Sequence, residues 1–493
     1  MTDFRDPGVD WAALSPELIL LGAACVALVV TLFLPPRFRT PFAAAVAALA
    51  FAGAGVAAGI LFALDSEGAG VVADAIRRDR LAELAQIVIA GSGLVTVGIA
   101  FREPDRIERV GELYALLLSA AAGMAFFVAA NNLMTLFLGL EWFSISLYVL
   151  TAIAVERLPT LEAGLKYLIV GSFGSAILLF GSALVYGATG EIAFAAIAEA
   201  TDGAEPLFLV AGLAMILVGL AFKMSAAPFH MWTPDVYQGA PTPVTAFMSA
   251  ATKVAALVLT LRVLVTAFPA EEELWTVALA VIVCVSLVWG NLAALVQADV
   301  KRLLAYSSIS HAGFLLMPVA VGSPLGGRAL LYYLVPYAAM SLGSFAVVAA
   351  RERELARPVS LEGLAGLGWE RPFLGVALTV FMFGFVGLPP AGLFLGKFYA
   401  FSAAVDRGWT WLAIVGVVAT VVSIYYYLGV VRALYMQPGT VGVAPAGGSP
   451  PSDVALDLAV AAALLVTVGS FLAADPLLTI VRDAVSFLPF PHP

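Results

Sequence analysis

Runs of about twenty apolar residues follow one another along this chain with short polar breaks, the length that carries a helix across a bilayer's hydrocarbon core. Measured with that ruler, spans fall near 15–35, 42–64, 81–101, 111–130, 132–154, 162–186, 207–230, 240–267, 273–296, 302–322, 327–350, 372–402, 408–435 and 455–474, fourteen in all. The cut at Ala130–Asn132 has no charged loop to mark it. Hydrophobic residues make up 62% of the chain and charged ones 12%, against about 25% charged in an average soluble protein. The expected fold is therefore an all-α polytopic membrane protein with almost no aqueous domain. A net charge of −9 argues against nucleic acid as a partner. Cys25 and Cys284 both lie in apolar spans, which leaves no disulfide framework and no metal-ligand spacing. The start, MTDFRDPGVDW, is acidic and lacks a basic n-region, so the first span is expected to be retained as a helix.

Positive charge sets orientation. Counted from an external N-terminus, even-numbered loops hold mostly acid: Glu191, Glu199, Asp202 and Glu205 in one, Glu271, Glu272 and Glu273 in another. Odd-numbered loops hold Arg37 and Arg39, then Arg102, Arg106 and Arg109, then Lys301 and Arg302, then Arg351, Arg353 and Arg357. Arg77, Arg78 and Arg80 are the exception, diluted by Asp74 and Asp79. The balance places both termini outside the cytoplasm.

Proline interrupts two spans at comparable places. The seventh runs through Lys223 to Pro228, and the twelfth reads FVGLPPAGLFLGKF around Pro389 and Pro390. Proline removes a backbone donor and clashes with the preceding turn, so both helices should break. The carbonyls freed there are tolerable only inside protein or against water. Five spans separate the breaks, and an odd repeat must insert upside down relative to its twin. Spans 4–8 and 9–13 are therefore expected to be inverted repeats, the arrangement used by transporter folds. This divides the chain into peripheral helices 1–3 (1–110), a first five-helix unit (111–267), a second (273–435), and a last helix with its tail (455–493).

Ionisable side chains inside these spans are the informative exceptions. Lys223 in LVGLAFKMSAAPF, Lys253 in FMSAATKVAALVL, Lys397 in PPAGLFLGKFYAF and Glu141 in FLGLEWFSI all stand in apolar surroundings. A lysine at mid-membrane costs about 2.5–3.5 kcal/mol on the insertion scale, and such groups mark paths for ions or protons through protein. Glu141 has no basic neighbour within one helical turn. Lys166, at the start of the sixth span, is its expected partner from across the helices, with Glu162, four residues earlier, as the local competitor. His230 and His311 lie at or inside spans seven and ten, each a relay or a hydrogen-bonding strut. Tyr306, Ser307, Ser308 and Ser310 surround His311, whereas His492, in the tail, reads as incidental. Arg262 sits near a span end, where snorkelling explains it; Lys253 is too central for that. Moving a counter-charge from 4 to 10 Å changes its attraction to a lysine by about 2.5 kcal/mol at an effective dielectric near 20. That is comparable with the roughly 2.3 kcal/mol needed to move one charge against 100 mV.

The chain has no phosphate loop, no dinucleotide fingerprint, no cysteine cluster for iron–sulfur and no regular pair of histidines for haem. Redox or hydrolytic chemistry that drives ion movement must then lie elsewhere.

Four segments carry a family resemblance: HMWTPDVYQGAPTPVTAFMSAATK (His230 to Lys253), TLFLGLEWFSISLYVL (Thr135 to Leu150), DVKRLLAYSSISHAGF (Asp299 to Phe314) and LPPAGLFLGKFY (Leu388 to Tyr399). Together they resemble the antiporter-like membrane subunits of bacterial proton-translocating NADH–quinone oxidoreductase, respiratory complex I. The likeness is strong over roughly 110 to 435, and the string DVYQGAPTPVTAF is quite specific within the superfamily. It implies fourteen helices with inverted five-helix repeats. It also implies a proton path through Glu141 on helix 5, Lys166 on helix 6, Lys223 and Lys253 on helices 7 and 8, and Lys397 on helix 12, with His230 and His311 at family-like polar positions. Lys397 departs from the glutamate expected of the M-type sibling, and the chain lacks the long C-terminal arm of the L-type one. No cofactor is expected on this chain; flavin, iron–sulfur clusters and the quinone site are implied for partner subunits. The implied partners are neighbouring antiporter-like and small membrane subunits and the lipid of a bacterial inner membrane. The alternative of another class is a subunit of a multisubunit monovalent cation/proton antiporter, without redox partners. A purely structural scaffold explains the helices but not the buried charges.

Overall fold

The structure, a computed structural model, describes residues 9–64, 70–103, 109–437 and 453–491. Arg106, His492 and the side chain of Asp202 lie outside what it describes. The first three long helices are α1 (Ser15–Phe33), α2 (Pro36–Ala63) and α3 (Arg80–Ala100), with a two-stranded hairpin, β1 (Gly70–Val71) and β2 (Ile76–Arg77), before α3. Next come α4 (Val110–Val128), α5 (Leu133–Thr151), α6 (Leu158–Thr189) and the short α7 (Phe194–Ala200), then α8 (Pro206–Lys223) and α9 (Thr233–Gly239). α10 (Thr242–Phe247) continues through one π turn (Met248–Thr252) into α11 (Lys253–Ala267). α12 (Glu272–Ala294), α13 (Val300–Ala320), α14 (Pro324–Leu355), α15 (Leu367–Glu370), α16 (Pro372–Val386), α17 (Leu393–Asp406) and α18 (Thr410–Met436) follow, and α19 (Val454–Leu472) and α20 (Ala474–Val485) close the chain.

Among the described residues, thirteen helices are long and apolar enough to cross a membrane, counting α10 to α11 as one. The count reaches the expected fourteen when the bent pair of residues 362–370 and α16 is taken as one span; α17 follows the break at Pro389 and Pro390. The uncharged cut between the fourth and fifth spans is made by Asn132, whose side chain accepts the Thr135 N–H at 2.7 Å and caps α5. Both proline breaks fall where the sequence puts them. α8 stops at Lys223 ahead of Pro228, and α16 stops at Val386 ahead of Pro389 and Pro390. The third helix of each five-helix series, α6 and α14, has 32 residues, and the broken helix follows it in both.

Burial sorts the helices. The apolar window of the α10–α11 span is buried on all sides, α13 and α14 are nearly so, and α1, α2, α18 and α19 turn most of their surface outward. A helix that is apolar all round belongs in the middle of a bundle. Small residues set a close crossing: a Cβ on Gly181 of α6 would stand 2.7 Å from the Gly212 carbonyl of α8, and the converse distance is also 2.7 Å.

Two elements were not legible as spans. α7 lies between α6 and α8, and α20 is a short amphipathic helix where the sequence suggests only a tail; α20 buries Val481, Ala484 and Val485. Arg262 corrects another expectation. It does not snorkel: it is 1% exposed, and its guanidinium donates to both carboxylate oxygens of Asp79, at 2.5 and 2.7 Å. Asp79, expected merely to dilute the arginines beside it, also caps α3 by accepting the Ala82 N–H.

Candidate functional site

Each helix break leaves carbonyls without intrahelical partners, and in both breaks a lysine takes them. The Lys253 ammonium donates to the Met224 carbonyl at 2.6 Å, one residue past the end of α8. The Lys397 ammonium donates to the Phe385 and Val386 carbonyls at 2.9 and 3.0 Å, the last residues of α16. The negative end of a helix dipole favours a cation there. The π turn just before Lys253 is the kind of local rewinding often found where a helix carries function. Lys397 also sits 4.3 Å above the Phe314 ring and 3.5 Å from the Thr420 hydroxyl.

Lys223, the last residue of α8, is held differently. Its ammonium donates to the Ser144 hydroxyl at 2.7 Å and lies 3.3 Å from the Tyr167 hydroxyl, among the rings of Phe143, Tyr148 and Tyr167. Aromatic faces stabilise a desolvated cation. Lys223, Lys253 and Lys397 are 2%, 0% and 4% exposed, and none makes an ion pair among the described residues. They face neither lipid nor headgroups.

Glu141 is half-buried one turn before Ser144, and its Oε1 is buried without a hydrogen-bond partner. Its charge reaches Lys223. The expected pairing of Glu141 with Lys166 does not form. Lys166 pairs instead with Glu162 on its own helix at 2.7 Å and with Asp235 of α9 at 2.8 Å, 43% exposed. One turn of α6 brings Glu162 under Lys166, and the break after α8 swings Asp235 to it. Arg302 reaches the other Asp235 oxygen at 2.6 Å, so this is a surface cluster at the membrane face where α6 and α13 begin.

His311 is 1% exposed, with Nδ1 2.9 Å from the Tyr333 hydroxyl and Nε2 3.1 Å from that of Tyr427. Ser307 contacts the same Tyr427 hydroxyl at 2.5 Å, and Ser308 contacts that of Tyr337 at 3.0 Å. The imidazole packs on Phe385, whose carbonyl holds Lys397, and lies within electrostatic reach of Lys253 and Lys397 alike. His230 stands apart. It is half-buried against Trp289, its Nδ1 has no partner, and it touches none of the lysines. The structure thus buries Lys223, Lys253, His311 and Lys397 in the interior, sets the half-buried Glu141 within electrostatic reach of Lys223, and leaves Lys166 and His230 outside this group. Sequence reasoning missed the Asp79–Arg262 pair, although an arginine inside a span asks for an acid from another element. It also missed Lys301, which is 5% exposed and donates to the Ala240 carbonyl at 2.7 Å.

A row of buried basic groups running through two broken helices defines a class of protein, the antiporter-like membrane proteins. The family model for the NADH:quinone oxidoreductase/Mrp antiporter transmembrane region matches residues 130–423. NADH-quinone oxidoreductase subunit N of Trichlorobacter lovleyi is 41% identical over 430 residues, 86% of this chain and 87% of its own length. The subunit N of Granulibacter bethesdensis is 41% identical over 464 residues, 92% of this chain and 96% of its own. A chain of respiratory complex I from Thermus thermophilus with bound aureothin matches with a TM-score of 0.79 at 32% identity, covering 95% of this chain and 100% of that one. This chain belongs to the same family, as an antiporter-like membrane subunit of the N type.

Proposed function

We propose that this chain moves protons through the membrane along Glu141, Lys223, Lys253, His311 and Lys397, and takes no part in electron transfer itself. Flavin, iron–sulfur clusters and quinone then belong to partner subunits, and the chain sits among neighbouring antiporter-like and small membrane subunits in a bacterial inner membrane. The observation that carries the reading is the set of three buried lysines held by neutral carbonyls, hydroxyls and rings instead of carboxylates. A lysine clamped by a buried acid would be locked as a cation. One held by dipoles can lose and regain its proton as a nearby charge moves. Glu141, beside Lys223 with an unpaired oxygen, supplies such a charge. Lys166 and Asp235 are positioned to gather or screen charge at the surface end. The five-helix units 111–267 and 273–435 act as two halves related by inversion, each closing on one lysine-filled break.

The reading is tested on the assembled complex in proteoliposomes. Lys253→Met should leave assembly intact and reduce NADH-driven proton movement by about 100-fold, the scale of a lost proton-transfer group. Wild-type pumping in that variant would overturn it. Cation-dependent proton flux without NADH would favour the cation/proton antiporter instead.

A further inference from the structure

A second polar line, not used by the lysine row, runs along the seam between α10 and α14. Thr242, Thr245 and Ser249 share one helical face, and Lys253 follows across the π turn. On α14, Ser341, Ser344 and Glu352 share a face, with Ser341 and Glu352 eleven residues, or about three turns, apart. Two contacts fix the faces against each other. At one end the Thr242 hydroxyl donates to Glu352 Oε2; nearer Lys253 the Ser249 and Ser341 hydroxyls stand 2.7 Å apart. Between these contacts on α14 lies Ser344, 0% exposed, its hydroxyl without a partner. Thr242, Thr245, Ser249 and Ser341 are all buried as well, whereas the Glu352 side chain is 15% exposed, three residues before α14 ends and among the charged side chains of Arg351, Arg353 and Glu354. The charge set against Glu352 from α13 is Lys301, at 3.9 Å, which also donates to the Thr242 hydroxyl at 3.1 Å. α10 brings no charge of its own. Arg351 and Arg353, beside Glu352 on α14, turn to Glu354 and Glu370 and to Glu103 and Asp453.

We propose that Glu352 takes protons from the aqueous face at which α10 begins and passes them along the α10–α14 seam to Lys253. This rests on the lysine-row reading and supplies its source of protons. The carboxyl binds a proton from water and releases it to the hydroxyl line. Each hydroxyl gives up one proton as it receives another, and the Lys253 amine ends as an ammonium. Only O–H and N–H bonds are remade, and one positive charge moves inward over roughly 16 Å, eleven residues of helical rise.

The experiment is NADH-driven pumping by the whole complex in proteoliposomes, followed against pH. Glu352→Gln should lower pumping by about 100-fold at neutral pH and flatten the pH profile, while Glu352→Asp restores most of both. Wild-type rate and profile in Glu352→Gln, alongside a Lys253→Met variant that no longer pumps, would overturn this inference alone. Normal pumping by Lys253→Met would overturn the reading beneath it. Should Glu352→Gln fail to assemble, Thr242→Val keeps the carboxyl and cuts its first link; loss of pumping supports the proposal and an unchanged rate refutes it.

Discussion

At the scale of single residues, what was legible was which side chains matter, and what was not was whom they touch. Lys223, Lys253, Lys397, Glu141 and His311 stand out because a charge in an apolar run is costly; the three lysines and His311 are buried, and Glu141 lies half-buried within reach of Lys223. Partners depend on how helices rotate and break, which one-dimensional spacing does not carry. Glu141 and Lys166 were matched by elimination, and the turn after α8 that delivers Asp235 to Lys166 defeated the match. Arg262 was misjudged for the same reason, since Asp79 lies 183 residues away. That pair allows a sharp prediction. Asp79→Asn should leave a buried guanidinium uncompensated and cost about 3–5 kcal/mol, whereas Asp79→Leu with Arg262→Met, which replaces both charges by apolar groups, should recover most of it. Thermal unfolding of the purified complex compares the two; equal loss in both would show that the charges themselves hold α3 to α11.

At the scale of elements, the apolar ruler and the prolines were enough to place the crossings, because lipid fixes the length of a span and proline ends one. Short elements that do not cross, α7 and α20, leave no such mark. The α6–α8 crossing shows what the apolar pattern hides: the two helices approach through Gly181 and Gly212, and the end of α8 carries Lys223. Gly212→Val should overpack this seam at a cost of about 1–3 kcal/mol and draw Lys223 away from Ser144. Less assembled complex and slower pumping are expected together, read by native gel and by proton uptake. Full pumping would mean that Lys223 is positioned by its aromatic neighbours alone.

Over the whole molecule, burial grades from α1, α2, α18 and α19 at the edge to α10 and α11 at the centre. A subunit within a membrane assembly needs such an edge to meet lipid and neighbours. An even number of crossings returns the chain to the side on which it began, and from the arginine-rich loops we propose that this side is the exterior. Cysteines introduced at Glu191 and Thr479 should therefore react with an impermeant thiol reagent in intact cells, and one at Arg357 only after the membrane is opened. The reverse pattern would invert the whole chain.

Two of the three lysines rest on main-chain carbonyls, at Met224 and at Phe385 and Val386. Point substitution deletes side chains but leaves an amide oxygen where it was. Natural variation can therefore retune those two amines only by altering the rings and hydroxyls around them or by reshaping the kinks themselves. Lys223, held wholly by exchangeable groups, is the position where evolution has the freest hand.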